Sequence, residues 1–366
     1  MKMIFKIMLG VFVIVQVSAC TSSPVAPLGQ EKRVAGEDVT IKKISAILTT
    51  HLKEQYAGEK MFLRDTHPKA NACIRGNFAI YPNIEAGLQH GIFQPGSSYH
   101  VWMRFSNAVE EITNDYEKDF RGLALKVTGV DGPRVASPGD EQHTQDFLFL
   151  GHDAFFAANP KDFFDFFDAQ FNGSIAWFFL THPKGAFNIF NGQARYTNPL
   201  NLHWNSVTAY ALGQKENETF KNVVRYAIRT CSTNGGEAPD EDKPDYLTTN
   251  LQNQLHHGEA CLDFFIQKQV DAKKMPVENA LVAWDQELSP FIKVARITIP
   301  KQTFTSEKQK MFCENMSFNP GHALIAHQPL GGINRARKVV MKDISDLRLK
   351  ENGVTRFEPN GNEVFE

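Results

Sequence analysis

Several things are missing from this sequence, and each absence narrows what the protein can be. No apolar stretch reaches the ~20 residues a membrane-spanning helix needs, the run Ile7 to Val15 being too short. Neither sign of charge dominates. With 39 lysines and arginines against 41 acids the formal net charge is −2, so no nucleic acid or other polyanion is expected as partner. No Cys-x-x-Cys or His-x-x-x-His spacing supports a zinc site. The acidic stretch Ser232 to Thr249 lacks the ordered oxygen ligands of a calcium loop and reads as a solvated connection. No internal repeat is present.

What is present begins with an address. Lys2 and Lys6 precede the short apolar run, and Val17-Ser18-Ala19-Cys20 resembles a bacterial lipoprotein box, which predicts a signal peptide over 1–19 and lipidation of Cys20. Thr21, rather than an aspartate, follows the cysteine, and in such lipoproteins this favours the outer membrane. The chain is therefore expected in the cell envelope, lipid-anchored and facing the periplasm, with a flexible tether over 20–37 and one domain over 38–366. Phenylalanine, at 29 residues, is roughly twice as frequent as usual and suits a large core above all. Cys73, Cys231, Cys261 and Cys313 allow three pairings that spacing cannot separate. Their apolar, strand-like surroundings favour buried thiols, with one disulfide as the rival reading.

Ile41, Ile44, Ile47, Leu48 and Leu52 recur at helical spacing behind a capping candidate, Asp38, with Thr40 close by. Strand-like segments follow at 77–81, 99–105, 123–128, 147–150, 264–270 and 292–299, with helical or irregular stretches at 161–171 and 206–212 between them. Strands, then helices, then strands, without a strict βαβ alternation, predict an α+β fold around an antiparallel sheet.

Four motifs carry chemistry. The first is Arg64-Asp65-Thr66-His67, and the second is Arg104-Phe105-Ser106 followed by Asp119-Phe120-Arg121-Gly122-Leu123-Ala124-Leu125-Lys126. Gln145-Asp146-Phe147 and Ala336-Arg337-Lys338-Val339-Val340-Met341-Lys342-Asp343 complete the set. Together they resemble the haem catalase superfamily, in particular short catalase-related proteins without the long N-terminal arm or the flavodoxin-like C-terminal domain. The resemblance implies a closed, eight-stranded antiparallel β-barrel with surrounding helices and a haem b cofactor. It makes His67 the acid–base residue above the porphyrin, Ser106 its support, and Arg64, Arg104 and Arg348 the clamps on propionates. Arg337 would sit beside the axial ligand. With no N-terminal arm, a monomer or dimer is expected.

Two positions depart from that family. Met341 stands where the iron-binding tyrosine is expected, which leaves a neutral, soft thioether as the candidate iron ligand. Gly151 takes the place of a distal asparagine. Three functions follow as expectations. The leading one is catalase- or peroxidase-like action on hydrogen peroxide or organic hydroperoxides. A catalytically degenerate lipoprotein that binds haem or another ligand without turnover is the alternative, and a fatty-acid hydroperoxide isomerase, suggested by Thr66, is the third.

Overall fold

In the computed structural model, residues 23–137 and 140–365 are described. The expected leader and the lipid site Cys20 lie outside them. The apolar stripe of Ile41, Ile44, Leu48 and Leu52 is buried along α1 (Glu37–Gln55), which packs on α7 (Gly332–Glu351). Asp38 does not cap α1. Gly36, at φ 77°, begins the helix, while Glu37 and Asp38 occupy the first turn, where the helix dipole favours acids.

Nine strands form one antiparallel sheet: β1 (Ala70–Ile80), β2 (Ser98–Asn107), β3 (Arg121–Thr128), β4 (Thr144–Leu150), β5 (Trp204–Asn205), β6 (Tyr210–Glu216), β7 (Thr219–Thr230), β8 (Ala260–Lys268) and β9 (Ile292–Ile299). The order β5-β4-β3-β2-β1-β9-β8-β7 closes on itself where Trp204 and Asn205 pair with Ile228 and Ala227. The result is the expected eight-stranded barrel, with β6 continuing β5's place along the edge of β7. The irregular or helical reading of 206–212 is corrected, because Tyr210 to Leu212 begin β6. Residues 210–213 are buried on both faces, so no alternation marks them as a strand.

Phenylalanines fill the barrel. The Phe93 ring lies 5.8 Å from Phe264, 6.1 Å from Tyr226 and 6.5 Å from both Phe78 and Phe147, so the interior is packed rather than hollow. The remaining helices, α2 (Pro160–Phe171), α3 (Ile175–Thr181), α4 (Pro183–Gly192), α5 (Tyr246–His257) and α6 (Glu307–Asn315), are distributed around it.

The favoured reading of buried thiols is also corrected. Cys73 on β1 is bonded to Cys313 on α6, and Cys231 to Cys261. The first pair lies 240 residues apart, a juxtaposition only the fold creates. The segment expected as a flexible tether is docked from Ala26 onward: Ala26 is buried, the Gly29 carbonyl accepts from the Phe220 amide, and Glu31 pairs with Arg335.

Candidate active site

Alternation along β2, β3 and β4 sends Phe105, Leu123 and Phe147 into the barrel core and leaves Arg104, Ser106, Gly122, Ala124 and Leu148 on the other face. Helix α7 crosses that face. Its positions 337, 341, 344 and 348 recur at helical spacing, so Arg337, Met341, Ile344 and Arg348 form the opposite wall of a cavity. The unfilled space between these walls, counting the open mouth, is about 800 Å³. All seven predicted pocket residues, Arg64, His67, Ser106, Arg104, Arg337, Met341 and Arg348, line it.

The His67 imidazole is held from three sides. Its Nδ1 lies 3.0 Å from Ser106 Oγ, its backbone sits at φ 64°, and Gly122 backs the ring. A Cβ at position 122 would fall 2.5 Å from His67 Cε1 and 3.1 Å from Ser106 Oγ, closer than packing allows. Ser106 and Gly122 are register partners on β2 and β3, so the ladder itself builds this niche. A left-handed backbone is uncommon for a residue other than glycine and concentrates at functional sites. Burial, followed by the charge of Arg104 and then of Arg337 and Arg64, pushes the His67 pKa down to about 3. The imidazole is therefore neutral at physiological pH.

Three guanidiniums share one carboxylate. Glu314 Oε2 lies 3.6 Å from Arg104 Nη2 and 3.8 Å from Arg64 Nε, and its Oε1 lies 3.2 Å from Arg348 Nη1. Backbone carbonyls take further donors: Arg64 Nη2 donates to Cys313, Glu314 and Met316, and Arg104 Nη2 to His67 and Pro68. Still, Arg64 Nε, Arg104 Nε and Arg348 Nη2 are buried without a hydrogen-bond partner. Burial, then the neighbouring Arg64, brings Arg104 and Arg348 down to about 9, which leaves both charged at pH 7. The cluster thus carries more positive charge than Glu314 neutralises, an arrangement that favours a carboxylate-bearing ligand.

The α7 side offers less. Met341 is the one sulfur among the cavity-lining residues, and no tyrosine lines the cavity. Arg337 makes only long hydrogen bonds, 3.4 Å to Thr208 Oγ1 and 3.5 Å to Asn334 Oδ1. Gly151 is not a lining residue, whereas Leu150 is.

Three further residues belong to this site and were not selected from sequence. Gly122 had a readable signal, a glycine inside a strand, which often marks close approach by another group. Asp65 is buried in the cavity wall with both carboxylate oxygens unpartnered, and burial, aided by Glu110, raises its pKa to about 7. Glu314 carries no sequence signal, because only the packing of α6 brings it to the arginines.

No family model matches this sequence, and no curated protein matches it. Solved structures do. The chain is similar to a fungal catalase (TM-score 0.64, 18% identity, covering 85% of this chain and 64% of that one). It is also similar to catalase A from Saccharomyces cerevisiae (TM-score 0.64, 20% identity, 86% and 67%) and to a bacterial catalase (TM-score 0.62, 18% identity, 95% and 68%). The fold is catalase-like, and the chain spans about two thirds of the length of these enzymes.

Proposed function

We propose that this chain is a haem-binding, catalase-like protein of the cell envelope, anchored through Cys20, that acts on hydrogen peroxide or an organic hydroperoxide. The observation that carries the reading is a neutral imidazole meeting an under-neutralised arginine cluster in one cavity. Haem b carries two propionates, and the orphaned donors of Arg64, Arg104 and Arg348 suit them, since a buried donor without a partner costs about 1–3 kcal/mol. On the opposite wall Met341 is a competent but neutral ligand. When bound, haem would supply the redox centre for peroxide cleavage. His67 would take the proton from one peroxide oxygen and return it to the other, with Ser106 Oγ holding the ring through Nδ1.

A second reading, a catalase-fold lipoprotein that binds haem or another carboxylated ligand without turnover, is favoured by Met341 in place of an anionic ligand. Reconstitution with haem, followed by absorption spectroscopy and oxygen evolution from peroxide, separates the two. The first reading expects a Soret band together with activity that His67→Ala abolishes and Met341→Tyr strengthens. A Soret band without activity selects the second reading, and no band at all removes haem from both.

A further inference from the structure

Helices α3 and α4 carry an apolar surface that the fold does not use. Phe178 is 2% exposed and anchors α3 against Phe166, with ring centroids 5.4 Å apart. Ala186, Asn188 and Ile189 seat α4, where Asn188 Nδ2 donates to the Phe155 carbonyl at 2.7 Å. The opposite faces bear Trp177 and Leu180 on α3 and Phe187 and Phe190 on α4, each pair spaced by three residues. These four are 55, 71, 65 and 62% exposed. The Phe179 and Phe190 rings, 5.4 Å apart, join the two helices into one patch. From Ile175 to Gly192 the sequence holds one charged side chain, Lys184, and no acid.

The hairpin is linked through α2 to the first described residues. His182, where α3 meets α4, has its Nε2 3.8 Å from Asp162 Oδ1 in the first turn of α2. Asn159 caps α2 and donates to Ser23 Oγ at 2.9 Å. Cys20 lies three residues before Ser23, a span of roughly 10 Å at most. That span limits how far from the α2 end of the hairpin's support the residue expected to carry lipid can be.

We propose that the α3–α4 hairpin is a phospholipid-contacting surface that inserts Trp177, Leu180, Phe187 and Phe190 into the leaflet holding the Cys20 lipid. Contiguous exposed aromatics mark interaction surfaces, and a polar-anchored face of Trp, Phe and Leu suits the interfacial region of a bilayer. With one cation in the segment, attachment is apolar rather than electrostatic, and salt leaves it unchanged. The inference takes its orientation from the lipoprotein reading, yet the hairpin's affinity can be read without it.

The test uses the mature chain from residue 20 with Cys20→Ser, mixed with vesicles of phosphatidylethanolamine and phosphatidylglycerol. Of four tryptophans, Trp102, Trp204 and Trp284 are buried, so changes on bilayer contact report Trp177. The expected result is co-flotation with vesicles that is insensitive to 0.5 M salt, with Trp177 quenched by brominated acyl chains. Replacing all four residues by serine should lower partitioning by about 100-fold or more while the circular dichroism melt is retained. Failure of the unmodified hairpin to float, or flotation undiminished in the four-serine variant, overturns the proposal. So does a patch-dependent dimer whose Trp177 is untouched by brominated lipid. Metabolic labelling of the full chain with palmitate reads Cys20 separately, so loss of the anchor and failure of the hairpin are distinguishable.

Discussion

At the scale of single residues, the niche around His67 depends on an atom that is missing. Gly122 gives the imidazole room, and any side chain there competes with it. Under the proposed function, Gly122→Ala is expected to leave the barrel folded but push His67 off Ser106 and cut peroxide turnover by 10-fold or more, because the group proposed to transfer the proton loses its geometry. Steady-state oxygen evolution, compared with the melting temperature, checks this. Turnover unchanged in a well-folded variant would refute the role given to Gly122. The arginines are a different case. The family resemblance implies that Arg64, Arg104 and Arg348 come together, but nothing in the sequence names Glu314 as their common acid.

Helix α7 is the element on which the cavity depends, since it supplies one whole wall. Its N-terminal end is fixed by Arg335, whose guanidinium pairs with Glu31 and Glu37 and, at 2.9 Å, with Glu278; the Gly332 amide donates to the same Glu278. These bonds tie α7 to α1 and to the docked segment before it. Removing one partner from such a cluster strands the other charges in a largely buried site, so Arg335→Ala is expected to cost about 3–5 kcal/mol in chemical denaturation. A loss below 1 kcal/mol would mean that α7 is held by its apolar face alone. The helical repeat along α1 was readable because that helix has one wet face, whereas α7 is marked in the sequence only by its Arg337–Met341 motif. The strand at Tyr210 was not readable, because both of its faces are buried.

For the whole molecule, stability rests on a closed barrel plus two cross-links. Cys73–Cys313 ties α6 to β1 next to Glu314, so reduction loosens both the fold and the arginine cluster's counter-charge. Cys73→Ser with Cys313→Ser is expected to lower stability by about 2–5 kcal/mol, read as a fall in melting temperature that reductant then deepens by less than it lowers the unsubstituted protein, because only Cys231–Cys261 remains to be reduced. A second global feature is pH dependence. Burial and Lys126 act to lower the His322 pKa, yet Asp146 at 2.9 Å and Asp140 at 3.0 Å outweigh them and raise it to about 9. Its folded value exceeds the unfolded one, so its contribution is complete below about pH 6.5 and fades as pH rises through 9. The melting-temperature gap between the unsubstituted protein and His322→Gln should therefore narrow between pH 7 and 10. A constant gap would contradict the charged state assigned to His322.

The sequence by itself determined the apolar stripe of α1 and six strand segments, those that became β1 to β4, β8 and β9, because periodicity is a local property of a chain; β5 and β7 went unread, and the closed barrel and the meeting of the motifs in one cavity followed only from the family resemblance. Tertiary structure alone decided the two disulfides, the docking of 26–36, the seat of Glu314 and the strand at Tyr210. Each of these depends on groups far apart in sequence or buried on every side, and local pattern carries no record of what a distant segment will bring alongside.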